Sequence, residues 1–468
     1  MSIIESTKEG YSVGSGAYSV VNDKIAITLN EYGEYQYNFK KEESLLSALP
    51  ACCMSSENDN ETTLAHQLYS DIKGVKHNPT IGFYKDLYIG YVAEGSYREN
   101  GSSGGMATWV LVELLKRDMI DGVIHVKPTD DGNTLFKYTI SRTEQDIVSG
   151  AKSRYYPVEY SAMINKIKLS NERFAIVGIP SYITEIRLLQ ALIPSLKHTI
   201  KYTIGLICGH QKSSKYAECL AWQCGIKPGN LKYVDFRKKV LDRPANEYIA
   251  EFVGLVDGEL VTITKNQNEL FGSNWGHGFF KKKFSDYTDD VFSETADISL
   301  GDAWLPEYTK DSKGNNVVIV RNDEIASILK EAKSDQRLCL DMSCEDDIVS
   351  SQSGLVHHCK DEIGYRLHKR DVETKWRPKK RVEADRDLPL LRKLVQDTRE
   401  DISTLSHKRY NEAVIIGDFD HFAKSMRLHV LKYKILYVLL SVKNKGILSI
   451  VSKAFQRIKC KLKKRSGE

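Results

Sequence analysis

The chain has 468 residues, 41% hydrophobic and 28% charged, enough for the cores of two or three domains and unlike disordered, collagenous or membrane-spanning chains. Its net charge of +5 hides an asymmetry, because residues 424–468 carry thirteen basic side chains and one acidic one. The remaining body is mildly acidic, which argues against a nucleic-acid-binding globule, and the basic tail points to a negative partner. No apolar run approaches the ~20 residues of a membrane span. The start, Met1-Ser-Ile-Ile-Glu5, lacks a basic segment followed by an apolar block, so a cytoplasmic protein is expected. Nine cysteines without one C-x-x-C pair predict reduced thiols and give no local support for a zinc or cluster site.

In chain order, residues 1–60 read as a small module of short strands and turns. From residue 86 the pattern becomes strand–helix units: a strand over 87–92, a Gly/Ser loop over 101–105, a helix over 106–117 and a strand over 122–126. The alternation returns with a strand over 173–178, a turn over 179–182 and a helix over 184–192. A strand over 202–208, a loop over 209–213 and a helix over 214–224 follow. Further strands are expected over 260–263 and 317–320, and a helix over 323–332. This is an α/β pattern with a largely parallel sheet. Residues 371–423 read as a charged linker. Residues 424–468 read as a basic tail of two amphipathic helices broken at Gly446, with an apolar stripe through Leu428, Leu431, Ile435, Val438 and Leu439. Such a tail suits an anionic membrane surface, and the alternative is a helical hairpin packed on the body or on a partner.

Three segments could carry chemistry. Gly101-Ser-Ser-Gly-Gly105 lies between a strand and a helix, where backbone N–H groups attract phosphate, with Ser102, Ser103 and Thr108 as hydroxyl donors. It equally suits a plain turn with a capped helix. Ile179-Pro-Ser-Tyr182 and Cys208-Gly-His-Gln211 also follow strands, at the edge where α/β sheets bind ligands. His210 could handle a proton, although a lone loop histidine is more often merely hydrogen-bonded. Asp297 and Asp302, in Ala-Asp-Ile-Ser-Leu-Gly-Asp-Ala-Trp304, could hold a polar network or a cation, or serve turn and cap chemistry.

These segments, with Arg98-Glu-Asn-Gly-Ser-Ser-Gly-Gly105, Phe174-Ala-Ile-Val-Gly-Ile-Pro-Ser181, Ile204-Gly-Leu-Ile-Cys-Gly209 and Phe236-Arg-Lys-Lys239, resemble the coenzyme F420 hydrogenase/dehydrogenase beta-subunit family over about residues 10–370. The resemblance includes homologues in polysaccharide-synthesis clusters. It implies an FAD-binding α/β core over 61–370, with a degenerate ferredoxin-like module before it. The flavin would lie near the Gly-Gly loop, held by Ser102, Ser103, Gly104, Gly105, Thr108, Gly178, Pro180, Ser181, Asp297 and Asp302. His210 and Tyr182 would be the proton handlers, and no metal is expected.

The departures matter equally. Where the family carries ferredoxin-like cysteines, this chain has Ser12, Ser15, Tyr18 and Asn22, and a second family pair corresponds to Ser285 and Thr288. Hydroxyls and amides are poor ligands for iron–sulfur clusters. The resemblance therefore implies a flavoenzyme without clusters, acting on a small-molecule substrate such as a sugar or nucleotide sugar in polysaccharide synthesis. The alternative is an inactive, membrane-docked scaffold among polysaccharide-synthesis proteins.

Overall fold

The computed structural model describes residues 3–39 and 61–445. Apolar and β-branched runs form the strands of one eight-stranded sheet: β1 (Asp86–Val92), β2 (Gly122–Pro128), β3 (Phe136–Ser141), β4 (Phe174–Gly178), β5 (Ile200–Leu206), β6 (Ile298–Asp302), β7 (Asn316–Val320) and β8 (Leu338–Met342). Their spatial order is β8-β1-β7-β6-β5-β4-β2-β3. Strands β2, β4, β5 and β6 are parallel neighbours, β1 runs with them, and β3, β7 and β8 run against them. The sheet is largely parallel, as expected, with three reversed strands. The β2–β3 reversal follows from a tight connection, in which the Thr129 N–H donates to the Leu135 carbonyl at 3.1 Å, too short for a parallel crossover.

Helix α1 (Met106–Lys116) follows β1, α2 (Pro180–Leu192) follows β4, α3 (Lys215–Trp222) follows β5, and α4 (Asp323–Ser334) joins β7 to β8. Proline at the first turn of α2 lacks only an N–H that would have no intrahelical partner. The Asn322 side chain caps α4 by accepting from the Glu324 and Ile325 N–H groups. Helices α1 and α4 cover one sheet face through Met106, Trp109, Leu114 and Leu329. Helix α2 covers the other through Ile183, Ile186 and Leu189, and Val13, Tyr18 and Tyr37 of the N-terminal segment join the same apolar cluster. Residues 3–39 are thus packed into the main core.

A second sheet of three antiparallel strands, Leu231–Lys238, Ile249–Val256 and Glu259–Asn266, lies over a third core with α3 and two long C-terminal helices. Here the expected linker over 371–423 is corrected: α5 (Leu390–Ile416) is a 27-residue helix. It buries Val395, Ile402 and Tyr410, and Gly417 at φ 78° ends it in a left-handed cap. The antiparallel partner α6 (Phe419–Lys445) packs through Phe422, Met426, Val430, Tyr433 and Leu436. The stripe read from the sequence is the opposite face, with Leu428 73%, Leu431 53%, Ile435 50% and Val438 55% exposed. The expected second tail helix beyond Gly446 and Cys52-Cys53 lie outside the described residues. Among the described residues no helix is long and apolar enough to cross a membrane.

Candidate active site

A cavity of about 290 Å³ opens at the carboxyl edge of the parallel strands, where the loops after β1, β4, β5 and β6 converge as expected for an open α/β sheet. Of the residues singled out from the sequence, Ser102, Ser103, Gly105, Thr108, Gly178, Tyr182, His210 and Asp302 line it. Gly104, Pro180, Ser181 and Asp297 do not.

The Gly/Ser loop is held by its neighbours. The half-buried ammonium of Lys239 donates to the carbonyls of Arg98 and of Ser103, the latter at 2.7 Å. Burial first, then the cations Lys152 and Arg98, lower the Lys239 pKa to about 7. Ser103 Oγ donates to the Asn315 carbonyl at 2.7 Å, so its proton is already engaged. Ser102 Oγ accepts from the Ser153 N–H at 2.9 Å and keeps a proton for the cavity.

Gly104 serves packing, not approach of a ligand: a Cβ there would lie 2.7 Å from the Gly90 carbonyl of β1 and from Asn316 Oδ1. Gly105 caps α1 at φ 86°, and its Cβ would meet the Tyr97 carbonyl carbon at 2.6 Å. The two glycines let the loop lie flat on the sheet edge and so aim the N-terminus of α1 at the cavity.

Asp302 forms a two-pronged ion pair with Arg237, at 2.7 and 2.8 Å, and Arg237 is stacked within 5.2 Å of the Trp304 ring. Asp297 precedes the amino end of β6, at the other end of the strand from the cavity, where its carboxylate accepts from Arg187 at 3.0 Å and from the Thr203 N–H at 2.8 Å. Pro180 and Ser181 are buried in the first turn of α2. The Tyr182 hydroxyl donates to the Val158 carbonyl at 2.6 Å, and burial holds its pKa well above the ordinary phenol value. This fixed, reluctant proton makes Tyr182 a wall residue and removes the physical basis for its acid role.

His210 is 7% exposed, stacks on Trp275 with ring centroids 4.6 Å apart, and has no hydrogen-bond partner on either ring nitrogen. Burial, then Lys212, pushes its pKa well below the ordinary imidazole value. A neutral ring can accept or donate one hydrogen bond, but it holds no spare proton near neutrality.

Sequence reasoning missed the rest of the wall: Lys152, Arg154, Tyr155, Lys212, Arg237 and Trp275. Lys152 sits at φ 98° and pairs with Asp235 at 3.2 Å, a strained backbone beside a cavity. The combination of a glycine loop at a helix N-terminus, Lys152 and Arg154 nearby, and aromatic walls fits a phosphate-bearing aromatic cofactor. Among the described residues there is no group of three His, Cys, Asp or Glu side chains placed to hold a metal.

The degenerate cysteine positions are engaged otherwise. Ser15 Oγ donates to Glu185 and lies 3.1 Å from the Tyr160 hydroxyl, and Ser285 Oγ accepts from the Gln211 N–H at 3.0 Å. The Lys282 ammonium reaches the Val13 and Tyr35 carbonyls at 2.9 and 3.1 Å. A cation and hydroxyls in these places do not fit an iron–sulfur cluster.

Two family models match the chain, both for the beta subunit of coenzyme F420 hydrogenase/dehydrogenase: that of its N-terminal part over residues 87–165, and that of its C-terminal part over residues 171–344. The fold is similar to a chain of the F420-reducing NiFe hydrogenase complex from Methanosarcina barkeri, solved in a xenon-derivatised form. Identity is 17%, over 65% of this chain and 98% of that one, with a TM-score of 0.48. Comparison with curated proteins gave no match. The two family matches together span more than half of the sequence, and the chain belongs to the coenzyme F420 hydrogenase/dehydrogenase beta-subunit family.

Proposed function

We propose that the chain is a flavin-dependent oxidoreductase that works without iron–sulfur clusters, with FAD as its flavin. The observation that carries this is the cavity at the carboxyl edge, where a glycine loop opens α1 beside Lys152 and Arg154. The loop N–H groups and these cations suit a diphosphate, and the aromatic walls suit a planar ring. When bound, the flavin would supply the hydride chemistry. The protein's own contributions are binding by the loop, a dry wall from Tyr155, Tyr182 and Trp275, and a neutral His210. A sugar or nucleotide sugar of polysaccharide synthesis is the substrate class we assign, with polysaccharide-synthesis proteins as partners. The absorption spectrum of the purified protein, with acid release of cofactor and an iron and sulfide assay, tests the reading. About one flavin per chain without iron is expected. A colourless protein that also refuses added FAD would overturn it in favour of the scaffold.

The exposed face of α6 favours a peripheral membrane contact for this protein, in either role. Leu428, Leu431, Ile435, Val438 and Leu439 are exposed among Lys424, Arg427, Lys432 and Lys434, a pattern suited to an anionic lipid surface. Removing the whole segment would strip Phe422, Met426 and Val430 from a core, so Leu431→Glu with Ile435→Glu is the cleaner test. The double variant should keep its fold and lose co-flotation with phosphatidylserine vesicles at least tenfold. Undiminished flotation would exclude this face as the contact.

A further inference from the structure

One wall of the cavity holds buried side-chain nitrogens that no described residue satisfies. His210, Gln211 and Lys212 are consecutive residues after β5, and all three line the cavity. Lys212 is 4% exposed, donates to the Phe279 carbonyl at 2.6 Å and sits 5.0 Å from the Trp275 ring centroid. It makes no ion pair with any described carboxylate. Its charged neighbours are Lys281, which is neutralised by Asp286, and Arg399. Gln211 Nε2 and both ring nitrogens of His210 are also buried, without a partner among the described residues. Burying a lysine beside cations is unfavourable, and leaving amide and imidazole donors unmade adds to that cost. A carbonyl, an aromatic ring and no anion do not compensate a dry ammonium.

We propose that His210, Gln211 and Lys212 form a subsite for an anionic oxygen group, a carboxylate or phosphate, on the ligand that occupies the cavity. The Lys212 ammonium supplies the charge, Gln211 Nε2 donates one hydrogen bond, and neutral His210 donates another from whichever nitrogen faces the group. Trp275 fixes the imidazole plane and closes the site to water. The group belongs either to the substrate or to the flavin itself. Assignment to the substrate rests on the flavin reading of the cavity, whereas the subsite does not.

The test is thermal unfolding of the full chain in a buffer free of phosphate and carboxylate, titrated with inorganic phosphate or oxalate, before and after loading with FAD. In the wild type a saturable rise of about 5 °C is expected. Lys212→Met should raise the starting midpoint, because it replaces a buried amine that has no ion-pair partner by an apolar side chain, and should abolish the saturable response. The residual drift of that variant measures the non-specific salt effect. A response that survives FAD loading assigns the subsite to the substrate. A response present only without FAD, with affinity of Lys212→Met for FAD falling at least tenfold, assigns it to the flavin. Two results would overturn the subsite: equal anion responses in wild type and variant, or a lowered starting midpoint in Lys212→Met, as a purely structural lysine would give. Because the unloaded protein is tested first, a chain that binds no FAD overturns the flavin reading and still decides the subsite.

Discussion

Replacing Arg187 by methionine is expected to destabilise the protein by about 3–5 kcal/mol, the cost of leaving a buried charge without its partner. Arg187 lies on α2 with 8% exposure and makes a web of contacts around the amino end of β6. Its guanidinium donates to Asp297 at 3.0 Å, Thr203 Oγ1 at 2.9 Å, the Thr295 carbonyl at 2.9 Å and Gln190 Oε1 at 3.1 Å. Burial opposes its charge, but Asp297 and Tyr69 outweigh burial and raise its pKa. The pair ties α2 to β5 through Thr203 and to the start of β6 through Asp297, so it locks helix to sheet at the amino end of β6, away from the cavity. After Arg187→Met, the Asp297 carboxylate keeps the Thr203 N–H and hydroxyl but loses its ion-pair partner, with the buried Arg321 guanidinium engaged by carbonyls and Ser299 instead. Asp297→Asn should cost a similar amount from the other side. Arg187→Met with Asp297→Asn should cost clearly less than the two single changes summed, because replacing both charges removes the desolvation penalty with the pair. Urea unfolding of the four proteins measures this, and single variants within 1 kcal/mol of wild type would refute it.

Most of the sheet was legible because its central strands are buried on both faces. Runs such as Val317-Val-Ile-Val320 and Phe174-Ala-Ile-Val177 leave no other economical assignment. The two edge strands were not legible, nor was the short central β6, which stood out only as a segment carrying Asp297 and Asp302. In β8 the burial alternates over only five residues, Leu-Cys-Leu-Asp-Met, two of them read as polar or reactive, and β3 is punctuated by lysine and threonine. Helix α5 was mistaken for a linker because its outward charges mask a sparse buried line, Val395, Ile402 and Tyr410. In α6 two apolar lines compete. The leucine and isoleucine line fits a helical period, but Trp222, Phe271 and Phe280 lie where the line of Phe422 and Met426 can reach them, and that partner set is visible only in three dimensions. The same division holds at the site. Loops that follow parallel strands announce themselves, so the glycine loop and His210 were found. Arg237 comes from the second sheet and Trp275 from an irregular turn, and only tertiary folding brings them to the cavity. Asp297 shows the converse error, since a motif acid at the far end of β6 reads as a ligand until its arginine is seen.

Acidification should destabilise the fold through histidines buried in the neutral form. Burial lowers the His125 pKa to about 4, aided by Lys127 and opposed by Asp146, and it lowers His277 to about 4, aided by Lys434 and Lys212. His210, His358 and His407 are shifted in the same direction, each chiefly by burial. For a histidine with a depressed folded pKa, the stabilisation is complete above the unfolded value of about 6.5 and is lost as pH falls towards the folded value. Between pH 7 and pH 5, His125 and His277 should each contribute a loss of about 2 kcal/mol. Two carboxylates oppose this. Burial raises Glu61 to about 7 and Asp290 to about 6, and both take up protons in the folded state as pH falls, which favours folding. Five histidines against two acids leave a net loss with acid. His125→Gln removes one titration from the cavity wall and should lessen the fall between pH 7 and pH 5 by about 2 kcal/mol. Glu61→Gln should steepen that fall, because the compensating proton uptake disappears. Urea unfolding at the two pH values checks both signs, and an unchanged fall in His125→Gln would show that His125 is charged in the folded protein.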